Sequence, residues 1–128
     1  MDPLRPAVAS ASADALDGSI LHELVESMVQ PSAVAAVYRK FVANAATFIA
    51  ELPAQDPAAR VDTLHTLKGS AAMMGAKCLA QVAADLQSQA QNDSIQVAQA
   101  MARLEAELAR FRSAAATQLR AIGVSLEG

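Results

Sequence analysis

Tryptophan is absent from this chain, and aromatic residues of all kinds reach only 3% of it, as one tyrosine and three phenylalanines. A core so poor in large rings has to be built mainly from aliphatic and small side chains that interdigitate. Cysteine is limited to Cys78. No intramolecular disulfide can form, and with only two histidines beside it the sequence offers no structural zinc set. A lone cysteine suits a reducing, cytoplasmic setting. Positive charge is scarce as well: 10 Lys+Arg stand against 13 Asp+Glu, a net charge of −3. That balance withholds the clustered cations that phosphate neutralisation requires, so nucleic acid is not an expected partner. No run of about 18 apolar residues occurs, and no basic stretch followed by an apolar one opens the chain. Neither a membrane span nor a secretory signal is read, and no direct membrane contact is expected.

What is present is alanine, about a quarter of the 128 residues, within a sequence that is 53% apolar. The length is that of one domain, and the composition favours helix. Residues 1–18 carry Pro3, Pro6 and a small-residue run from Ala7 to Ala15, the pattern of a flexible linker or lead-in. From Ser19 onward Ile20, Leu21, Leu24, Val25 and Met28 recur at helical spacing, with Asp17 or Ser19 available as N-cap, which predicts a short first helix. Pro31 breaks it and opens a second helix. There Val34, Val37, Phe41, Ala45, Phe48 and Leu52 form a stripe widened by Tyr38, Val42 and Ile49. So broad a stripe predicts a central place in a bundle, and Pro53 ends it.

Asp56-Pro57 then supplies a cap and a first-turn proline. The third helix buries Leu64, Leu67, Ala71 and Met74, with Val61 at the margin, and Gly75 stops it. Ala76 or Lys77 opens a fourth, whose inner side is Leu79, Val82, Ala83, Leu86 and Ala90. Asn92-Asp93-Ser94 is a turn and cap cluster. The last and longest helix carries Val97, Met101, Leu104, Leu108, Phe111, Ala115, Leu119 and Ile122, with the charge pairs Arg103–Glu107 and Glu107–Arg110 on its outer side. Met28, Met74 and Met101 read as core fillers, Cys78 as a small packing residue and His22 as solvent-facing. Short connections between helices of this length predict an all-α, antiparallel up-down-up-down four-helix bundle with an additional short N-terminal helix. Its expected span is 19–122, with 123–128 as a C-terminal tail.

The chemistry concentrates in His65-Thr66-Leu67-Lys68-Gly69-Ser70-Ala71-Ala72-Met73-Met74-Gly75. His65 falls at the margin of the buried stripe, and Lys68 follows one turn later. Helical side chains lean back over the preceding turn, so the residue at position 69 would shade the imidazole, and glycine leaves it bare. Glycine there costs about 1 kcal/mol relative to alanine, a cost that suggests access, although close contact with another helix would also call for it. A neutral imidazole is a competent nucleophile near neutral pH, and Lys68 is placed to offset an arriving anion such as a phosphoryl group. Paired carboxylates, a glycine-rich phosphate loop and a nucleophile–base pair are all missing, so autonomous kinase or hydrolase activity has no support.

The pattern His65-x-Leu67-Lys68-Gly69-Ser70-Ala71-x-x-x-Gly75 closely resembles the motif of histidine-containing phosphotransfer (HPt) domains of bacterial phosphorelays. The resemblance extends over about residues 19–122 and includes Gln87, where several family members also carry glutamine. It implies a four-helix bundle whose His65 accepts a phosphoryl group on Nε2 from the aspartate of one response-regulator receiver domain and passes it to another. By the same resemblance Lys68 lies close to the phosphoryl oxygens, Gln87 helps to orient the ring, Gly69 gives the receiver room and Gly75 is structural. Mg²⁺ is expected on the partner receiver, with no cofactor or metal bound by this chain. Gln91 stands where some relatives carry a basic residue, which leaves the charge preference of the partner open. Asp62, Thr66, Ala72, Met73 and Gln91 are the expected docking surround, with Met73 a natural contact for an apolar receiver surface. A monomer is expected. The Ala/Ser-rich lead-in is what is expected of the HPt module of a hybrid sensor histidine kinase, with receiver and kinase in one polypeptide tethered to a membrane, although it is also compatible with a free-standing carrier. The alternative function is an HPt-like module that only binds a receiver or kinase and is not phosphorylated.

Overall fold

The computed structural model describes residues 16–27, 30–92 and 94–126, and among these residues forms five α-helices and no strand. They are α1 (Gly18–Ser27), α2 (Pro31–Glu51), α3 (Pro57–Met73), α4 (Lys77–Gln91) and α5 (Val97–Ala121), with a 3-10 turn at Leu52–Ala54 after α2. Local chemistry accounts for most boundaries. The Asp56 carboxylate accepts from the Ala59 backbone N–H at 2.8 Å, satisfying a donor that the first turn of α3 would leave unpaired. Asp17 does the same before α1, accepting from the Ser19 backbone N–H at 3.0 Å. The α3 terminus is a Schellman motif: Gly75 takes φ +77°, its N–H donates to Ala72, and the Ala76 N–H reaches Ala71 at 2.8 Å. Gly123, at φ +86°, ends α5 in the same way through Val124 and Leu119.

The bundle closes as a ring in which α2 packs on α3, α3 on α4, α4 on α5 and α5 back on α2, the α3–α4 hairpin being the most intimate pair. Helix α1 lies against α2. The expected central place for α2 is therefore corrected: it is one wall of four, and its wide apolar face is accounted for by α5, α3 and α1. The stripe on it is corrected too. Val34, Ala35, Tyr38, Phe41, Ala45, Ile49 and Leu52 are buried, whereas Val37, Val42 and Phe48 are only half-buried. Three of the four rings of the chain meet at the centre, Tyr38 stacked on Phe111 at 5.9 Å and Phe41 edge-on to Phe111 at 5.2 Å.

On α5 the buried line is Ala100, Leu104, Leu108, Phe111, Ala114, Ala115 and Leu119, with Val97 and Met101 beside it, and Ile122 is 37% exposed rather than part of the core. Glu107 and Arg110 pair at 3.1 Å, but Arg103 turns across to Asp85 of α4 at 4.0 Å instead of along its own helix to Glu107. Ser94 does not cap α5. Its N–H and hydroxyl both donate back to the Gln89 carbonyl, and Gln96 stands at the α5 start without a side-chain cap. Two core residues also lie outside the expected span of 19–122. Leu16 and Leu126 are core residues, and the Leu126 carbonyl accepts from Arg39 at 3.2 Å. Residues 1–15 of the expected linker, Met28, Asp93, Glu127, Gly128 and the side chains of Leu24 and Val25 lie outside the described residues.

Candidate functional site

Helix α3 turns Leu64, Leu67 and Ala71 into the core, which fixes the rotation of everything else on it. Asp62, His65, Thr66, Gly69, Ala72 and Met73 are exposed and Lys68 is half-buried, so the motif residues stand on the outer wall with the imidazole near the middle of the helix. Among the described residues none holds the side chain of His65, Lys68 or Gln87 by a hydrogen bond or ion pair. The ring is free to be approached.

Gly69 resolves a question that its position raises. A methyl group built there meets nothing within 4 Å, so close contact with another helix, the competing explanation for a glycine in mid-helix, is overturned. Position 69 is open space on the exposed wall of α3, one turn after His65. Gly75 is the opposite case. It is buried in the left-handed region at φ +77°, and an added methyl would lie 3.0 Å from both Cβ and the carbonyl oxygen of Asp17 and 3.1 Å from Cγ1 of Ile20. Its carbonyl accepts from the Asp17 backbone N–H at 2.6 Å, which ties the start of α1 to the α3–α4 junction.

Two grooves lie along the outer seam between α3 and α4. One, of about 290 Å³, is lined by Lys68, Ala72 and Gly75 facing Lys77, Ala80, Gln81 and Ala84, with Asp17 at its edge. The other, of about 380 Å³, is lined by Pro57, Ala58, Val61 and Asp62 facing Ala90 and Gln91. The two linings set residues 68–75 of α3 beside 77–84 of α4 and residues 57–62 beside 90 and 91, so His65 and the half-buried Gln87 each fall on the stretch of their helix between the two grooves. The structure thus brings Lys68 and Ala72 together in one groove and Asp62 and Gln91 in the other, with His65 between them. Thr66 and Met73 line neither; Met73 is 78% exposed, the foremost large apolar side chain on the described surface.

Sequence reasoning missed Asp17, Lys77 and Gln81 at the first groove. Lys77 and Gln81 flank Ala80 at the groove and carry no motif of their own, and nothing local in the sequence announces Asp17. Its carboxyl is held below the ordinary carboxylate value by the Ser19 hydroxyl, which donates at 2.6 Å, then by the Ser19 N–H and the nearby Lys77 charge. Gln81 donates to Asp85 at 3.1 Å, one turn further along α4. His22, on α1, pairs with Glu26 in solvent at 3.0 Å and takes no part in the site. Cys78 is half-buried.

Among the described residues no three His, Cys, Asp or Glu side chains converge as a metal ion would need, and no helix is long and apolar enough to cross a membrane. The arrangement offers an exposed nucleophilic ring, a cation one turn away and an open approach. Such a surface can receive a group and hand it on, provided that the other participant brings the electrophile and most of the charge stabilisation. In comparison with known proteins, no curated protein and no solved structure matches the chain. The family model described as Hpt domain matches residues 36–114, from the first turns of α2 to the last third of α5.

Proposed function

We propose, because the chain belongs to the Hpt domain family, whose members carry out histidine phosphotransfer in phosphorelays with response-regulator receiver domains, that His65 is its phosphoacceptor. In the forward step the unprotonated Nε2 of His65 attacks the phosphorus of a receiver aspartyl phosphate. The N–P bond forms as the P–O bond to the carboxylate breaks, and the carboxylate leaves with the electron pair. The ring keeps its proton on Nδ1, and the reverse step delivers the phosphoryl group to the aspartate of a second receiver. Lys68 offsets phosphoryl charge, Gln87 steadies the ring from across the seam and Gly69 leaves the approach clear. Mg²⁺ and most of the transition-state stabilisation belong to the receiver. The working form is a cytoplasmic monomeric carrier, which fits both a free-standing chain and a module of a hybrid sensor kinase.

The observation that supports this reading is an exposed His65 followed one turn later by a glycine in open space, which no packing contact requires. The test is transfer from a phosphorylated receiver in Mg²⁺, followed by peptide mapping. Acid-labile, base-stable phosphate on His65 that a second receiver removes is the expected result. His65→Gln abolishes acceptance while leaving receiver binding intact. A folded wild-type chain that binds the receiver yet takes no phosphate would instead make it a binding-only module.

A further inference from the structure

We infer that the docking face is electrically polar along the α3–α4 hairpin, and that this polarity orients a receiver presenting acidic side chains over Lys68 and Lys77 and a basic side chain over Asp62; the inference rests on the carrier reading above. In the groove at the Gly75 end, two lysines face one carboxylate, Asp17, which already accepts two hydrogen bonds from Ser19. Asp85, the next acidic group on α4, is engaged by Gln81 at 3.1 Å and approached by Arg103 at 4.0 Å, so it adds little negative potential there. Positive charge is left over.

At the other groove the only charged lining residue is Asp62, and Gln91 opposite it is neutral. Arg60, the nearest cation in sequence, is turned away: its guanidinium donates to the carbonyls of Leu52 at 2.8 Å and Pro53 at 3.2 Å. Negative charge is left over here. The antiparallel α3 and α4 place opposite helix ends side by side, so the backbone dipoles offset each other and the side chains set the sign. At a rise of about 1.5 Å per residue, Asp62 lies roughly 9 Å along the axis from Lys68 and roughly 20 Å from the level of Lys77, that is, from about one to more than two screening lengths of about 8 Å in physiological salt. A partner therefore reads two separate signs, one on each side of His65. Charges at such a rim chiefly govern encounter and register, and register is what in-line transfer requires.

The test uses two reversals that move the net charge in opposite directions, Lys77→Glu from −3 to −5 and Asp62→Lys from −3 to −1. The probe is a receiver domain phosphorylated with acetyl phosphate. Its KM for transfer is measured, together with the Kd of the same receiver for each chain by titration calorimetry, which does not depend on phosphate reaching His65. Both reversals should raise Kd and KM by about 3- to 10-fold at low salt, a penalty that shrinks as salt shortens the screening length. Opposite effects of the two variants would reduce the phenomenon to net charge, and unchanged values would remove both residues from the interface; either result overturns the inference. Absence of phosphate on wild-type His65 with binding retained would sink the carrier reading alone, since the polarity is still read from Kd.

Discussion

Gly69→Ala should stabilise the bundle and slow phosphotransfer at the same time. The side chain added is one methyl group, and at its built position nothing lies within 4 Å, so no packing penalty arises. Alanine in place of glycine in an exposed helix interior gains about 0.5–1 kcal/mol, partly by narrowing the unfolded ensemble. For a domain of this size that corresponds to a rise of about 2–4 °C in Tm. The same methyl group projects from the exposed wall toward the preceding turn, on the side from which a receiver reaches His65. In-line attack needs reacting atoms about 3–3.5 Å apart, and a displacement of about 1 Å costs on the order of 100-fold. A 10- to 100-fold slower single-turnover transfer is therefore expected, and Gly69→Leu should be slower still. Circular dichroism melts and rapid-quench transfer from a phosphorylated receiver read the two effects separately. An unchanged or lowered Tm would refute the open geometry at position 69. A stabilised chain that transfers at the wild-type rate would remove Gly69 from the approach path.

Gly75→Ala acts in the opposite direction. A left-handed alanine costs about 1–2 kcal/mol, and the crowding by Asp17 and Ile20 should bring the total to about 2–4 kcal/mol in denaturant unfolding; an unchanged midpoint would contradict the clasp. Tyr38 is fully buried, its hydroxyl has no partner among the described residues, and burial pushes its pKa up to about 12. Since the unfolded side chain ionises near 10, stability should fall as pH rises from about 10 to 12. Tyr38→Phe should abolish that decline and be neutral or stabilising by about 1 kcal/mol at pH 7; a marked destabilisation would show that the hydroxyl is satisfied. Met73→Glu places charge on a 78% exposed apolar contact point. Transfer should slow by about 3- to 10-fold while stability stays within about 0.5 kcal/mol, and wild-type kinetics would exclude Met73 from the interface.

The helix boundaries that were legible in the sequence are those written in local chemistry. Asp56-Pro57 and Gly75 act on backbone groups within a few residues of themselves, so no knowledge of the rest of the chain was needed to place α3. The rotation of α2 was legible only to within one residue. Val37 and Tyr38, like Phe48 and Ile49, are adjacent apolar residues. Periodicity accepts either of each pair, and it is the ring cluster with Phe111 on α5 that draws Tyr38 inward. Leu16 and Leu126 were illegible because a single leucine in a short segment has no period, and only the finished bundle offers it a seat. Arg103 illustrates a conflict of ranges: the intrahelical rule assigned it to Glu107, and the neighbouring helix supplied Asp85. At the candidate site the residues of α3 were visible as a motif, whereas Lys77, Gln81 and Asp17 belong to the site through packing alone.

The clasp at Gly75 also makes three parts of the chain a single unit of inheritance. One atom-sized space serves as the turn that ends α3, the seat of the Asp17 backbone and the bearing surface for Ile20. A side chain at position 75 would become tolerable only in company with smaller or displaced residues at 17 and 20, so the three positions should drift together or stay put. It follows that a boundary drawn at 19 by helix periodicity would cut through this unit, discarding a core leucine and the donor to the Gly75 carbonyl. A boundary at Leu16 keeps both.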